Sequence, residues 1–136
     1  MDKQTPRGIR NNNPMNVRIG NNWWGESEKQ TDRQFEQFEK MEFGIRAAFL
    51  ILRRYIEKYG RNTVRKIVLT WSPENENNTV AYIQAVSNKV GIDPDEPINY
   101  EDKETMLKLV DAMIQVECGQ PVGMALITKG YDIAIL

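Results

Sequence analysis

The stretch from Met41 to Tyr59 constrains the fold of this chain more than any other segment. It reads MEFGIRAAFLILRRYIEKY, and Gly60 follows it as a typical C-terminal stop signal. One helical face collects the apolar side chains Phe43, Ala47, Leu50 and Ile51. Because a helix with a continuous apolar face has to be covered by other elements, the sequence predicts a buried central helix around which the rest of the chain packs.

Three further segments show a helical pattern with recognisable ends. They are residues 63–71 after a Thr63 cap, residues 79–90 between a Thr79 cap and Gly91, and residues 101–118 before Gly119. Residues 1–40 are polar and rich in turn formers, and the apolar tail is expected to dock on the body as a short strand. We therefore predict a single mainly α domain over 1–136, with a loop-rich front end containing a small β element (1–40), a helical body (41–118) and a docked tail (119–136).

The composition limits the chemistry open to the chain. At 136 residues it is large enough to bury a core without metals or disulfides. It has no histidine, which excludes Ser-His-Asp and Cys-His triads and the common zinc sites, and its single cysteine, Cys118, excludes an internal disulfide framework. The acidic DPDEP segment lacks the spacing and central glycine of a calcium loop. Any catalysis is thus expected to depend on carboxylates, without a metal or another cofactor.

Charge and hydropathy restrict the expected partners. The formal net charge of -1 argues against a nucleic-acid-binding protein, because such proteins usually carry an excess of positive charge. We interpret the basic run IRAAFLILRRYIEKYGRNTVRK as the solvated face of two helices, with an accessory nucleic-acid role as the weaker alternative. No apolar signal region follows the start MDKQTPRGIR, and no apolar run reaches the ~18 residues of a membrane span. We expect a monomer that is made in the cytoplasm and does not span a membrane.

Glu117 is the first candidate for catalysis. It continues the apolar stripe of Met106, Val110 and Met113 at spacings of four, three and four residues. A carboxyl on an inward face at a helix C-terminus should have a raised pKa, because burial and the helix dipole both disfavour its charge. That property suits a general acid that protonates a glycosidic oxygen. The alternative is a frayed helix end in which Glu117 points into solvent or meets an arginine.

Two other acids are candidates for a second carboxylate. Glu76 lies in WSPENENNT, a segment between two helices whose acids and amides would position water or steady positive charge on a sugar ring. The same segment also reads as an ordinary capping loop before Thr79. Glu26 follows WWG, where it is either a groove acid or one charge of a solvated ESEK surface.

The front end is crowded with asparagines and tryptophans. The run NNNP at 11–14 predicts an ordered turn, because Asn tolerates left-handed backbone geometry. Indole rings stack on apolar sugar faces while amides bond hydroxyl and acetamido groups, so WWG and the asparagines suit a glycan-binding surface. The alternative is a capped loop with Trp23 or Trp24 plugging the core.

The order of these motifs resembles a known family. Five segments, RGIRNNNPMNVR, WWGE, QFEQFEKMEFGIRAAFLILRRY, TVRKIVLTWSPENENNTVAYIQAV and IQVECGQPV, are similar in this order to small phage virion-associated and endolysin-like proteins of bacterial and prophage genomes. The resemblance runs from residue 7 to residue 122. Part of the pattern also resembles the glucosaminidase and lysozyme-like superfamily, but with its Glu-Gly feature last, at 117-ECG-119.

The resemblance implies a lysozyme-like domain that cleaves peptidoglycan, circularly permuted so that the two motif orders agree. It implies Glu117 as the general acid, with Glu76 and Glu26 as further catalytic candidates. The implied sugar-binding residues are Asn12, Asn13, Arg18, Trp24, Asn77 and Tyr82. The implied partners are peptidoglycan glycan strands and other virion proteins, at the bacterial cell wall or within a phage particle.

The sequence departs from the family pattern at several positions. Met15 replaces a glycine, Ser72 and Glu74 alter WAPP, Asn78 replaces an aspartate, and Cys118 replaces an asparagine. If that aspartate is catalytic in relatives, a one-acid mechanism remains, as in lytic transglycosylases, where the substrate's own hydroxyl is the nucleophile. The leading hypothesis is a glycosidase or lytic transglycosylase acting on peptidoglycan, and the alternative is a non-catalytic virion or cell-wall-binding protein.

Overall fold

The computed structural model describes residues 5–73 and 76–135, and of residues 76 and 77 only the backbone. These residues form α1 (Arg7–Arg10), α2 (Met41–Glu57), α3 (Val64–Trp71), α4 (Glu76–Val90), α5 (Lys103–Cys118) and α6 (Met124–Ala134). The β-structure found in them is two antiparallel bridges, Arg18 with Phe35 and Glu26 with Phe38. The prediction of a mainly α fold with a small β element in the front end is confirmed.

The helix α2 is the central element, as the sequence predicts. Its buried face is formed by Gly44, Ile45, Ala47, Ala48, Phe49 and Leu52. The helix α6 packs along α2 so closely that a Cβ on Gly130 would lie 2.4 Å from Cγ2 of Ile45. The Phe49 ring also meets the Tyr131 ring edge-on, with 5.2 Å between their centroids. The two helices therefore form the middle of the core.

The tail is a helix, so the short strand expected at 119–136 is wrong. The buried residues of α6 are Ile127, Gly130, Tyr131 and Ala134. Their spacing of three, one and three residues is that of a helical face, and this face is covered by α2. The Tyr131 hydroxyl donates to the Tyr100 carbonyl at 3.0 Å and fastens the tail to the segment before α5.

Two of the predicted helix ends are built as expected. The Thr63 side chain caps α3 by accepting a hydrogen bond from the Lys66 amide at 3.1 Å. Gly119 ends α5 with a left-handed φ of 73°. At the start of α5, Asp102 accepts a hydrogen bond from the Thr105 amide at 3.3 Å, which is a cap that we did not anticipate.

The helix α4 begins at Glu76, three residues before the expected cap at Thr79. Thr79 is buried in the first turn, and its hydroxyl donates to the Ser72 carbonyl at 3.1 Å. This bond ties α4 to the end of α3. No helix in the described part of the chain is long and apolar enough to cross a membrane.

The asparagine-rich turn folds back on itself in the front end. Asn12 and Asn16 both have a left-handed φ of 53°, which confirms the predicted turn geometry. The Asn13 side chain is fully buried, donates to the carbonyls of Val17 and Glu36 at 2.9 Å, and accepts from the Val17 amide at 2.9 Å. A buried amide with these partners holds the two halves of the front end together.

The front end is also in backbone contact with α2. A Cβ placed on Gly44 would lie 2.0 Å from the Asn12 carbonyl oxygen. The Asn12 side chain donates to the Phe38 carbonyl at 3.0 Å, just before α2 begins. The turn at 11–16 therefore rests directly on the helix backbone.

We predict that Gly44→Ala destabilises the protein although alanine is the better helix former. The new methyl group has to displace the Asn12 carbonyl, and overpacking of this kind costs about 1–3 kcal/mol. Urea unfolding followed by circular dichroism measures the change. An unchanged or higher stability of Gly44→Ala would contradict the contact.

Candidate functional site

A groove of about 1040 Å³ lies between the front end, the C-terminal half of α2 and the end of α3. Four aromatic residues contribute to its walls: Trp23, Tyr55, Tyr59 and Trp71. Four cationic residues also line it: Arg18, Arg53, Arg54 and Lys58. The groove is therefore aromatic and positively charged, a composition that suits a polymer with both apolar faces and acidic groups.

One wall of the groove is held by contacts between α3 and the front end. The Trp71 indole N–H donates to the Met15 carbonyl at 3.0 Å. The Trp71 ring meets the Tyr55 ring of α2 edge-on at 6.0 Å between centroids. Met15 is fully buried, so its side chain contributes to the core.

Glu117 lies at the C-terminus of α5 and points inward. One carboxylate oxygen, Oε1, accepts a hydrogen bond from the Asn16 amide at 2.8 Å, and the other, Oε2, accepts one from the Tyr82 hydroxyl at 2.9 Å. Asn16 is also a groove residue, so it connects the carboxyl to the groove lining. The inward orientation predicted from the stripe is confirmed, and the helix end is not frayed, although the carboxyl also meets an arginine, Arg18, as the alternative expected.

Burial raises the pKa of Glu117 above its usual range, as the sequence predicts. The hydrogen bonds from Asn16 and Tyr82 and the positive charge of Arg18 act in the opposite direction and lower the pKa. Burial, reinforced by the neighbouring carboxyl, raises the pKa of Tyr82 well above its usual range, so its hydroxyl remains a donor. The result is a partly buried acid held by two neutral donors.

Cys118, the residue next to Glu117, is a structural side chain. Its thiol is buried and donates to the Pro14 carbonyl at 3.1 Å. Burial raises the pKa of this thiol to about 11, which keeps it protonated and poorly nucleophilic. Cys118 and Glu117 together attach the end of α5 to the turn at 14–16.

Glu26 occupies a different environment, within the front end. Its carboxylate accepts a hydrogen bond from the Trp23 amide and also contacts the carboxyl of Glu36. Glu36 is buried, and its burial together with the charge of Glu26 raises its pKa to about 7. Two adjacent carboxyls cannot both ionise cheaply, so the pair holds a proton near neutral pH. A catalytic role for Glu26 stays a prediction.

The two tryptophans of WWG have different positions. Trp23 is partly buried against the core, as the alternative interpretation of WWG expected. It also lines the groove. Trp24 is 59% exposed, lies outside the groove lining and packs on Phe43, with the Arg46 guanidinium 5.0 Å from its ring. Sugar binding by Trp24 stays a prediction, whereas Trp23 is the one of these two tryptophans that lines the groove.

The other proposed sugar-binding residues are divided between several environments. Arg18 lines the groove beside Glu117. Asn13 is buried and bonds the Glu36 carbonyl within the front end, and Tyr82 is buried and donates to Glu117. These two side chains therefore do not form an exposed face with Trp24. The side chains of Asn77 and of the catalytic candidate Glu76 lie outside the described residues, as does Glu74. Sugar binding by the front-end amides stays a prediction.

Sequence reasoning missed several residues of the groove. Asn16 and Trp23 belong to stretches proposed for glycan binding but were not named as site residues. The residues not proposed at all include Arg54, Tyr55, Tyr59 and Trp71. Tyr55 lies four residues after Ile51 on α2, so the two side chains share one side of the helix. Both are half-buried and both line the groove, so the helical period could have predicted Tyr55 from Ile51. Asn16 carries no local signal of this kind, because its partner Glu117 is 101 residues away in sequence.

We predict that the Glu36 carboxyl makes stability depend on pH. Its raised pKa means that, between about pH 4.5 and pH 7, the folded protein holds a proton that the unfolded chain releases. The free energy of unfolding should therefore fall as the pH rises through this window, by about 1–3 kcal/mol.

Denaturant unfolding of Glu36→Gln between pH 4 and pH 8 measures this contribution. The variant should lose most of the slope, because an amide needs no proton to remain buried. Glu28→Gln, which changes the same charge at an exposed position, should keep the slope of the parent. A parent and Glu36→Gln with identical pH profiles would exclude the assignment.

Comparison with known proteins places the chain in a family. No protein-family model matches it. Protein P5 of Pseudoalteromonas phage PM2 is 40% identical to it over 134 residues, which cover 95% of this chain and 82% of that protein. The phage part of the resemblance seen in the motifs is thereby confirmed, while its endolysin-like and lysozyme-like parts stay predictions. The chain belongs to the family of phage proteins that includes Protein P5 of phage PM2.

Proposed function

We propose that this phage protein cleaves the glycan strands of bacterial peptidoglycan, with Glu117 as the general acid. A phage protein with this activity would act on the bacterial cell wall from the phage particle, alongside other virion proteins. The groove would bind the strand, and the carboxyl of Glu117 would act at the end of the groove marked by Asn16 and Arg18.

The observation that carries the proposal is the link between Glu117 and the groove. Asn16 lines the groove and donates to the Glu117 carboxyl at 2.8 Å. A strand in the groove would contact Asn16, and Asn16 in turn positions the carboxyl of the acid.

The raised pKa of Glu117 gives the proposed chemistry its first step. The protonated carboxyl donates its proton to the glycosidic oxygen as the bond between that oxygen and the sugar's anomeric carbon breaks, a step typically worth about 10²–10⁴-fold in rate. Positive charge then develops on the sugar ring, close to the carboxylate that the proton has left. A nucleophile attacks the anomeric carbon and completes the exchange.

The nucleophile is either water, which needs a carboxylate as a base, or a hydroxyl of the substrate. The state of the groove's carboxylate favours the substrate hydroxyl. Glu57 is the acid among the described lining residues, and it is paired with Arg53 at 2.9 Å. A carboxylate engaged in this way is a poor base for activating water. In attack by the 6-hydroxyl of the same muramyl residue, the Glu117 carboxylate left by the first step takes up the hydroxyl proton as the new bond to the anomeric carbon forms. This step needs no second protein carboxylate and leaves a 1,6-anhydro end.

A binding-only function is the second candidate, and one observation favours it. Both oxygens of Glu117 already accept hydrogen bonds, from Asn16 and Tyr82, and these bonds stabilise the carboxylate. A groove that holds glycan without cutting it would serve a virion protein that docks on the cell wall.

We predict that Glu117→Gln abolishes cleavage and leaves glycan binding intact. Glutamine keeps the shape and accepts the Tyr82 bond, but it has no acidic proton to donate, so the rate should fall at least about 10²-fold. Purified peptidoglycan is digested in excess chelator, since the mechanism uses no metal, and the released fragments are identified by mass spectrometry.

Glu28→Gln is the matched control, because it removes a carboxylate of the same type at an exposed position outside the groove lining. It should retain cleavage within a few-fold. Anhydro ends would identify a transglycosylase, and reducing ends a hydrolase. A parent protein that binds peptidoglycan but releases no fragments would establish the binding-only candidate, and a fully active Glu117→Gln would remove Glu117 from the mechanism.

We also predict that Tyr82→Phe moves the pH profile of cleavage. The Tyr82 hydroxyl lowers the pKa of Glu117, so its loss raises that pKa. Activity that needs the protonated acid should then persist to a higher pH, and the alkaline limb of the profile should shift upward. Steady-state rates between pH 4 and pH 9 measure the shift. A limb that stays in place or moves to lower pH would show that Glu117 does not set it.

A further inference from the structure

The basic run that the sequence suggested to be a solvated face contributes to the groove. Arg53, Arg54 and Lys58 line one side of it, and Arg18 lines the side formed by the front end. The described lining residues thus include four cations and one carboxylate, that of Glu57. A chain with a formal net charge of -1 therefore concentrates positive charge at this surface.

Two of these cations are placed to meet a ligand. Arg54 and Lys58 are exposed and lie one helical turn apart, at the C-terminal end of α2. The negative end of the helix dipole stabilises cations at this position. Arg53, by contrast, is already engaged by Glu57 at 2.9 Å and lies 5.6 Å from the Tyr100 ring. Lys58 lies 5.5 Å from the ring of Tyr59, which is itself a groove residue. The pair Arg54 and Lys58 therefore presents positive charge to solvent at the groove.

We propose that Arg54 and Lys58 form a carboxylate-binding end of the groove, which makes it selective for acidic glycan strands over neutral polymers of N-acetylglucosamine. The carboxylates would be those of lactyl groups or stem peptides carried by the muramyl sugars. The proposal rests on the glycan-binding function above and adds to it the chemical class of strand that the groove prefers.

The arrangement of charge favours an acidic glycan over a nucleic acid. The basic residues are confined to one groove in a chain that is slightly acidic, so long-range attraction to a phosphate backbone is weak. A glycan strand carries its carboxylates on alternate sugars, whereas a nucleic acid carries a phosphate on every nucleotide. Two adjacent cations next to the aromatic side chains Tyr55 and Tyr59 match the sparser pattern.

The test compares two glycans of equal length, a muramyl-containing peptidoglycan oligomer and a chitin oligomer. Binding is measured by calorimetry in the Glu117→Gln background, so that neither glycan is cut, at low salt and at 0.5 M NaCl. Arg54→Gln with Lys58→Gln is the test variant. Arg33→Gln with Lys66→Gln is the matched control, because it removes the same charges from exposed positions outside the groove lining. Thermal unfolding verifies that both variants are folded.

We expect the parent background to bind the acidic oligomer more tightly, with a preference that shrinks in high salt. The Arg54 and Lys58 double variant should weaken binding of the acidic oligomer by about 3- to 20-fold and that of chitin by less than about 2-fold. The control variant should behave like the parent background.

The other outcomes each overturn the proposal in a recognisable way. Equal affinity for both glycans, unchanged by the double variant, would remove the carboxylate-binding end and leave the glycan-binding function standing. No binding of either glycan would remove both. A single-stranded DNA oligonucleotide that binds more tightly than the acidic glycan, and is released by the double variant, would assign the groove to nucleic acid instead.

Discussion

The contact between the Asn12 carbonyl and the backbone of α2 at Gly44 determines how the rest of the site is built. It brings a polar turn against the most buried helix of the protein, where a side chain of any size would keep the two apart. The buried amide of Asn13 then holds the turn in its shape. With the turn in place, Asn16 and Arg18 face the groove, and the Pro14 carbonyl receives the Cys118 thiol.

The environment of Glu117 follows from this packing. Its carboxyl is contacted by the front end through Asn16 and by α4 through Tyr82, so three distant segments of the chain meet at one acid. Burial raises its pKa, and the two donors limit the rise. The pKa of Glu117 is therefore set by a balance between burial and the groups that meet its carboxylate.

The sequence predicted the parts of the fold that depend on local pattern. The extent of α2, the Thr63 cap, the Gly119 stop and the inward position of Glu117 all follow from spacing and from one or two capping residues. The tail was misread because a short apolar stretch is compatible with either a strand or a helix. Its packing against α2, made possible by Gly130, decides in favour of the helix.

The sequence by itself determined the helical class, the absence of histidine chemistry and the inward position of Glu117, because each of these depends on residue type and short-range spacing. Only the tertiary structure decided that Trp23 lines the groove while Trp24 does not, that Glu26 pairs with Glu36, and that Arg54 and Lys58 border the groove. The physical reason is that such a surface is assembled from residues far apart in the chain, and their meeting depends on how closely the helices and the turn can pack.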